Sequence, residues 1–180
     1  MDFLEFEQHD LYFDEELSAD DDQLLKKAAE MYPSVETEMI LQDLQSRLPG
    51  NLTILVALYR FYYYQHRYQD ALDISSRAID VSASMMGLTI SWKDITENHI
   101  AQGVFVSMGL IRFYMLCLKA SAYLLMRTGE IEQAKERLKK ITELDPADQF
   151  GAAFLLKIAE KELIKKLADQ YNVTSLFHHH

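Results

Sequence analysis

A chain of 180 residues, 49% of them hydrophobic, is long enough to bury a core and too apolar to be disordered throughout. Its formal charge of −10 sits in one place: residues 1–22 hold ten acidic side chains and no Lys or Arg, while the other 18 acids and 18 bases balance. Neither part offers the basic footprint that neutralises phosphates, which excludes a nucleic-acid binder, and the single cysteine, Cys117, excludes an intrachain disulfide and points to a reducing, cytoplasmic setting.

With 6 Gly and 3 Pro the chain is poor in turn material and suited to an all-α fold. The acidic N-terminal segment, about residues 1–20, alternates carboxylates with Phe3, Leu4, Phe6, Leu11, Tyr12, Phe13 and Leu17. Its charge favours a flexible chain and its rings favour docking. From Asp21 the pattern is helical. QLLKKAAEMY (23–32) follows an Asp run suited to a helix N-terminus, and Pro33-Ser34 breaks it. A second helix covers 34–48 and stops at LPGN; a third covers about 53–66 and a fourth about 68–83. After a looser stretch (82–92), one long apolar helix is expected over about 94–127, ended by Gly129. An amphipathic helix follows over 130–144, ended by Asp145-Pro146. A last helix over about 147–171 carries Phe150, Phe154, Ile158, Ile164 and Leu167 along one side. No strand is expected. The terminal His178–His180 reads as a purification-tag remnant.

Helices paired by short breaks invite a search for repeats. Leu55, Leu58, Tyr59 and Tyr62 repeat the pattern of Leu118, Ser121, Ala122 and Leu125 on first helices; Ala71 and Ala78 answer Ala134, Leu138 and Ile141 on second helices; Pro146 closes the later unit. A fainter copy holds Leu24, Leu25, Ala28, Leu41, Leu44 and Pro49. On these residues the chain resembles the tetratricopeptide repeat, a helix pair of about 34 residues. It departs from that pattern in lacking the family's Trp, in carrying Ser75 at a large position, and in a spacing of 63 between Ala71 and Ala134. The resemblance implies an α-α superhelix with repeats at about 18–50, 51–83 and 115–146, an insert at 84–114 and a capping helix at 147–171.

The resemblance also divides the aromatic run LYRFYYYQHRY. Tyr59, Tyr62 and Tyr68 take packing positions. A concave groove is implied for Lys26, Arg60, Tyr63, Tyr64, Lys119, Tyr123, Met126 and Arg127. The same residues read blandly are core tyrosines and solvated charges, with Arg127 pairing Glu130 or Glu132. As a groove they suit an acidic peptide with aromatic anchors. Phe3, Phe6, Tyr12 and Phe13 of the acidic segment have that character and are expected to compete for the groove from within the chain, or else to serve only as a solubilising extension.

Residues 98–118 are apolar around more of the helix than one stripe needs, so this helix is either central core or a homodimer interface; the wider apolar stretch from Asn98 to Met126 is not expected to span a membrane, since Arg112 and Lys119 interrupt it. Nothing resembles a catalytic set. His9, His66 and His99 are isolated, no metal spacing or cofactor motif occurs, and Gly103 and Gly109 fit close helix packing better than phosphate binding. The sequence reads as a non-enzymatic adaptor or chaperone, similar in size and acidity to the small bacterial tetratricopeptide chaperones of secretion systems, binding an acidic, aromatic segment of a client. The alternative is a structural subunit whose repeats and insert mediate permanent oligomerisation, with no groove ligand.

Overall fold

The structure, a computed structural model, describes residues 17–177, with side chains described through Asp169. Among the described residues it is all-helical, with no strand. Eight α-helices run in chain order: α1 Ala19–Glu30, α2 Val35–Arg47, α3 Leu52–Tyr64, α4 Tyr68–Met85, α5 Glu97–Val106, α6 Met108–Thr128, α7 Ile131–Leu144 and α8 Ala152–Phe177, with a 3-10 turn at Trp92–Asp94.

Local chemistry sets these starts. Ser18, Ser34, Asn51 and Ser107 each accept a hydrogen bond from a backbone N–H three residues on, at 3.1–3.2 Å, which satisfies a donor the helix itself cannot use. Asp20, Asp21 and Asp22 put negative charge on the first turn of α1. Asp21 also meets Arg47 at the end of α2; the Ser18 hydroxyl first, and then Arg47, hold its carboxyl below the ordinary carboxylate range. Gly129 ends α6 in the left-handed region (φ 87°), so that the Glu130 N–H reaches back to the Leu125 carbonyl at 2.8 Å.

Consecutive helices pack on one another from α1 to α4, and again from α6 to α8. The joint between these runs is α4 against α6, so the segment between them is looped out of the stack. Thr37, buried in α2, donates to the Ala28 carbonyl of α1 at 3.1 Å. Arg67 bridges Glu38 of α2 and Asp70 of α4, at 2.7 Å each, while lying 4.5 Å over the Tyr62 ring. Leu44, Leu52, Leu55, Leu118 and Leu138 are fully enclosed, and the small residues Ala71, Ala78, Ala122 and Ala134 sit where helices approach.

The expected single helix over 94–127 is two. Ser107 is extended (φ −163°, ψ 119°), closing α5 and capping α6 with its hydroxyl. The break also separates two fates. In α6, Ile111, Phe113, Tyr114, Met115, Cys117 and Leu118 are buried, so this stretch is core and unavailable as a dimer surface. In α5, Val104, Phe105 and Val106 are exposed, Phe105 at 92%. α6 is long and apolar enough to cross a membrane, yet 67% of its most apolar window is buried inside the fold, which accounts for its composition. Gly103 permits the approach of α5: a Cβ there would lie 2.5 Å from Ile111 Cδ1. Gly109 has only Ser107 Oγ nearby, at 3.6 Å, so the close packing expected at both glycines occurs at one.

The loop before α5 is strapped to α7. Ile95 is fully buried, Lys140 donates to its carbonyl at 3.2 Å, and Lys93 meets Glu136 at 2.9 Å. The last helix starts at Ala152, five residues later than expected, because Asp145 turns the chain by accepting from the Phe150 N–H at 2.9 Å. It buries Ala152, Leu155 and Ala159 and packs on α7; of the expected apolar side, Phe150 and Ile158 are partly buried against the core, whereas Phe154, Ile164 and Leu167 are exposed.

Candidate functional site

Three helices run side by side in the same direction. A Tyr32–Phe61 ring contact at 6.0 Å joins the C-terminal ends of α1 and α3, and a Tyr63–Tyr123 contact at 6.4 Å joins α3 to the C-terminal half of α6. Short turns on either side of α2 bring α1 and α3 into the same direction, and the packing of α4 on α6 carries the face on past the insert.

At the α1–α3 end of this face lies an open cavity of about 450 Å³. Leu25, Ala28, Ala29 and Tyr32 of α1 line it, with Thr37 and Leu41 of α2, and Val56, Ala57, Arg60, Phe61 and Tyr64 of α3. Small residues on α1 make the hollow, and apolar walls give a floor on which a ring can settle. Arg60 supplies a cation and Tyr64, 46% exposed, a rim ring.

Tyr63 continues this surface towards α6. Its ring lies 5.5 Å from Tyr64, 5.8 Å from Tyr59, 6.2 Å from Tyr68 and 6.4 Å from Tyr123. Arg127 closes the cluster, with its guanidinium 4.5 Å over the Tyr68 ring and Nη1 donating to the Tyr123 hydroxyl at 3.0 Å. That hydrogen bond is the main reason the Arg127 pKa is raised above its ordinary value, which by itself already keeps a guanidinium charged. A guanidinium carries five N–H donors, and one serves Tyr123. Its plane is prepositioned by stacking, which lowers the entropy lost on gripping a carboxylate.

Of the residues assigned to a groove from the sequence, Arg60 and Tyr64 line the cavity, and Tyr63, Tyr123 and Arg127 meet in the adjoining cluster. Met126 is half-buried against the core. Lys119 is half-buried; its ammonium donates to the Phe150 carbonyl at 2.5 Å, so it helps fasten the loop before α8, and burial lowers its pKa. Lys26 is not brought to the site: it lies exposed on α1, 2.6 Å from Asp22, and is absent from the cavity wall. Phe3, Phe6, Tyr12 and Phe13 lie outside the described residues. Tyr59 and Tyr62 are core, as their packing positions imply, but Tyr68 is only partly buried and belongs to the cluster. Sequence reasoning also missed Tyr32, whose position before Pro33 signals only a helix end. Cys117 is enclosed and burial raises its thiol pKa strongly, while His99 accepts from the Thr96 backbone N–H at 3.1 Å as a helix cap. His66 faces the Tyr68 hydroxyl at 2.9 Å. Among the described residues no His, Cys, Asp and Glu group could hold a metal ion.

The fold and this surface define an all-helical protein of stacked helix pairs that presents an aromatic, cationic face. The chain belongs to the family of the "Uncharacterized 19.8 kDa protein in nifW 5'region" of Azotobacter chroococcum mcd 1, to which it is 42% identical over 158 residues, 88% of each chain. No family model and no solved structure matches it.

Proposed function

We propose that this protein is a tetratricopeptide-type interaction module that holds an acidic segment with aromatic side chains, from a client protein, across the face of α1, α3 and α6. The repeat reading draws support from the order of the helix pairs, α1/α2, α3/α4 and α6/α7, and from the direct packing of α4 on α6 despite the long insert between them. The observation that carries the function is the continuity of Arg60, Tyr64, Tyr63, Tyr123 and Arg127: two cations with an unbroken row of rings between them, beside a cavity of about 450 Å³. Aromatic anchors favour the cavity, and carboxylates favour the guanidinium groups.

A second reading, a structural subunit, rests on the exposed Val104, Phe105, Val106 and Met108 at the α5–α6 junction, an apolar ridge suited to a permanent neighbour. Sedimentation of the purified protein separates the two, because a permanent assembly persists at every concentration.

Selection from a displayed library of 12-residue peptides tests the module. The expected winners combine Asp or Glu with Phe, Tyr or Trp, and lose binding to an Arg60→Glu/Arg127→Glu variant of unchanged helicity. Winners without acidic residues, or equal binding to the variant, would overturn the reading. The relative's name places it in the 5' region of nifW, which makes the nifW product the first whole protein to test as a client.

A further inference from the structure

We propose that the chain carries its own ligand for this face: residues 1–16 occupy the surface of Arg60, Tyr63, Tyr64, Tyr123 and Arg127 in cis, and a client must displace them. This inference rests on the peptide-binding reading above and adds its regulation.

Three observations carry it. The first is charge. Residues 1–16 hold seven carboxylates and no Lys or Arg, whereas the cations of the site, Arg60 and Arg127, stand at its two ends. The second is the identity of the apolar groups. Phe3, Phe6, Tyr12 and Phe13 are spaced among those carboxylates, so the segment offers both kinds of group that the face would hold, rings and carboxylates. A merely solubilising extension has no need of four aromatic side chains.

The third is reach. Leu17 packs against the core and Ser18 caps α1, so the segment departs from a fixed point. That point lies at the N-terminal end of α1, and Asp21 ties it to the end of α2, beside the start of α3. Arg60 and Tyr64 lie at the other end of α3, so the segment must travel the length of one helix of 13 residues, about 20 Å. Sixteen residues span about 50 Å when extended, enough to follow α1, cross the cavity and reach Arg127.

Tethering then decides the strength of competition. A short flexible tether presents the segment at an effective concentration of about 1 mM. If the untethered segment binds with a Kd of about 100 μM, a competing peptide is weakened by about tenfold.

The test uses the full chain and, as probe, a fluorescently labelled peptide of the sequence of residues 1–16. Its binding is followed by fluorescence anisotropy in wild type and in a variant carrying Phe3→Ser, Phe6→Ser, Tyr12→Ser and Phe13→Ser. These substitutions lie ahead of α1, and circular dichroism checks that helicity is kept. The expected result is binding about tenfold tighter in the variant, abolished when Arg60→Glu and Arg127→Glu are added. Equal affinity in wild type and variant would overturn the cis contact while leaving the face a peptide site. No binding to the variant would overturn the proposal by showing that the segment is not a ligand. Binding that survives Arg60→Glu/Arg127→Glu would overturn the assignment of the face itself. Inhibition that grows with protein concentration, with dimers in sedimentation, would replace the cis contact by exchange between two copies.

Discussion

Leu118→Ala is expected to cost about 3 kcal/mol of stability, within the range of 2–5 kcal/mol for emptying an enclosed leucine site. Leu118 is fully buried in α6, which is the hub of the fold: α4, α7, α8 and α5 all pack on it. The helix therefore borders elements of both runs of stacked helices, and a cavity at its enclosed Leu118 cannot close without disturbing one of them. For a chain of this size about 3 kcal/mol lowers Tm by roughly 6–12 °C. Thermal unfolding followed by circular dichroism measures it. A shift of less than about 2 °C would mean that α6 is not the central element. A leucine on the periphery behaves differently; Leu167, 53% exposed on α8, leaves no cavity when truncated.

Tyr64→Ala is expected to do the reverse, leaving Tm within about 2 °C and weakening an acidic, aromatic peptide by about 30-fold, the effect of removing an aromatic hot spot of about 2 kcal/mol. The ring is 46% exposed, edges the cavity and stands 5.5 Å from Tyr63. Truncation removes contact area for the ligand and little from the core. Isothermal titration with a peptide from the library selection reads the affinity, and the same sample gives the Tm. Since Tyr63 touches Tyr59, Tyr64, Tyr68 and Tyr123, its truncation would loosen core and surface together, which is why Tyr64 is the cleaner probe. Affinity unchanged by Tyr64→Ala would move the ligand away from the cavity rim.

Most helices were legible because their boundaries rest on local chemistry. The Asp run announces the start of α1, Pro33-Ser34 and LPGN the breaks on either side of α2, and Gly129 the end of α6, whatever the rest of the chain does. The division at Ser107 was not legible, because apolar residues continue across it and only the extended backbone of one serine interrupts them. The buried face of α8 was misread in part. Phe150 and Ile158 pack against the core as expected, but Phe154, Ile164 and Leu167 are exposed, and the buried positions are Leu155 and the small Ala152 and Ala159, which a search for large apolar side chains passes over. At the site, the meeting of Tyr63 with Tyr123 and Arg127 was readable only by superposing one helix pair on another, since 60 positions separate the two tyrosines. The same superposition misplaced Lys26, where a neighbouring Asp22 four residues earlier holds the ammonium, and gave Tyr68 to the core when its ring lies beneath Arg127.

The looped-out α5 has a dynamic consequence. Its helical neighbour is α6, Gly103 forms the seam, and Phe105 faces outward at 92% exposure. Such a helix can detach without unstacking the pairs on either side, so its amide hydrogens should exchange with solvent through a local opening of low free energy, while those of α6 await global unfolding. Hydrogen–deuterium exchange would then divide residues 97–128 at Ser107 into a fast half and a slow half, a cooperative boundary inside what reads as one continuous apolar stretch.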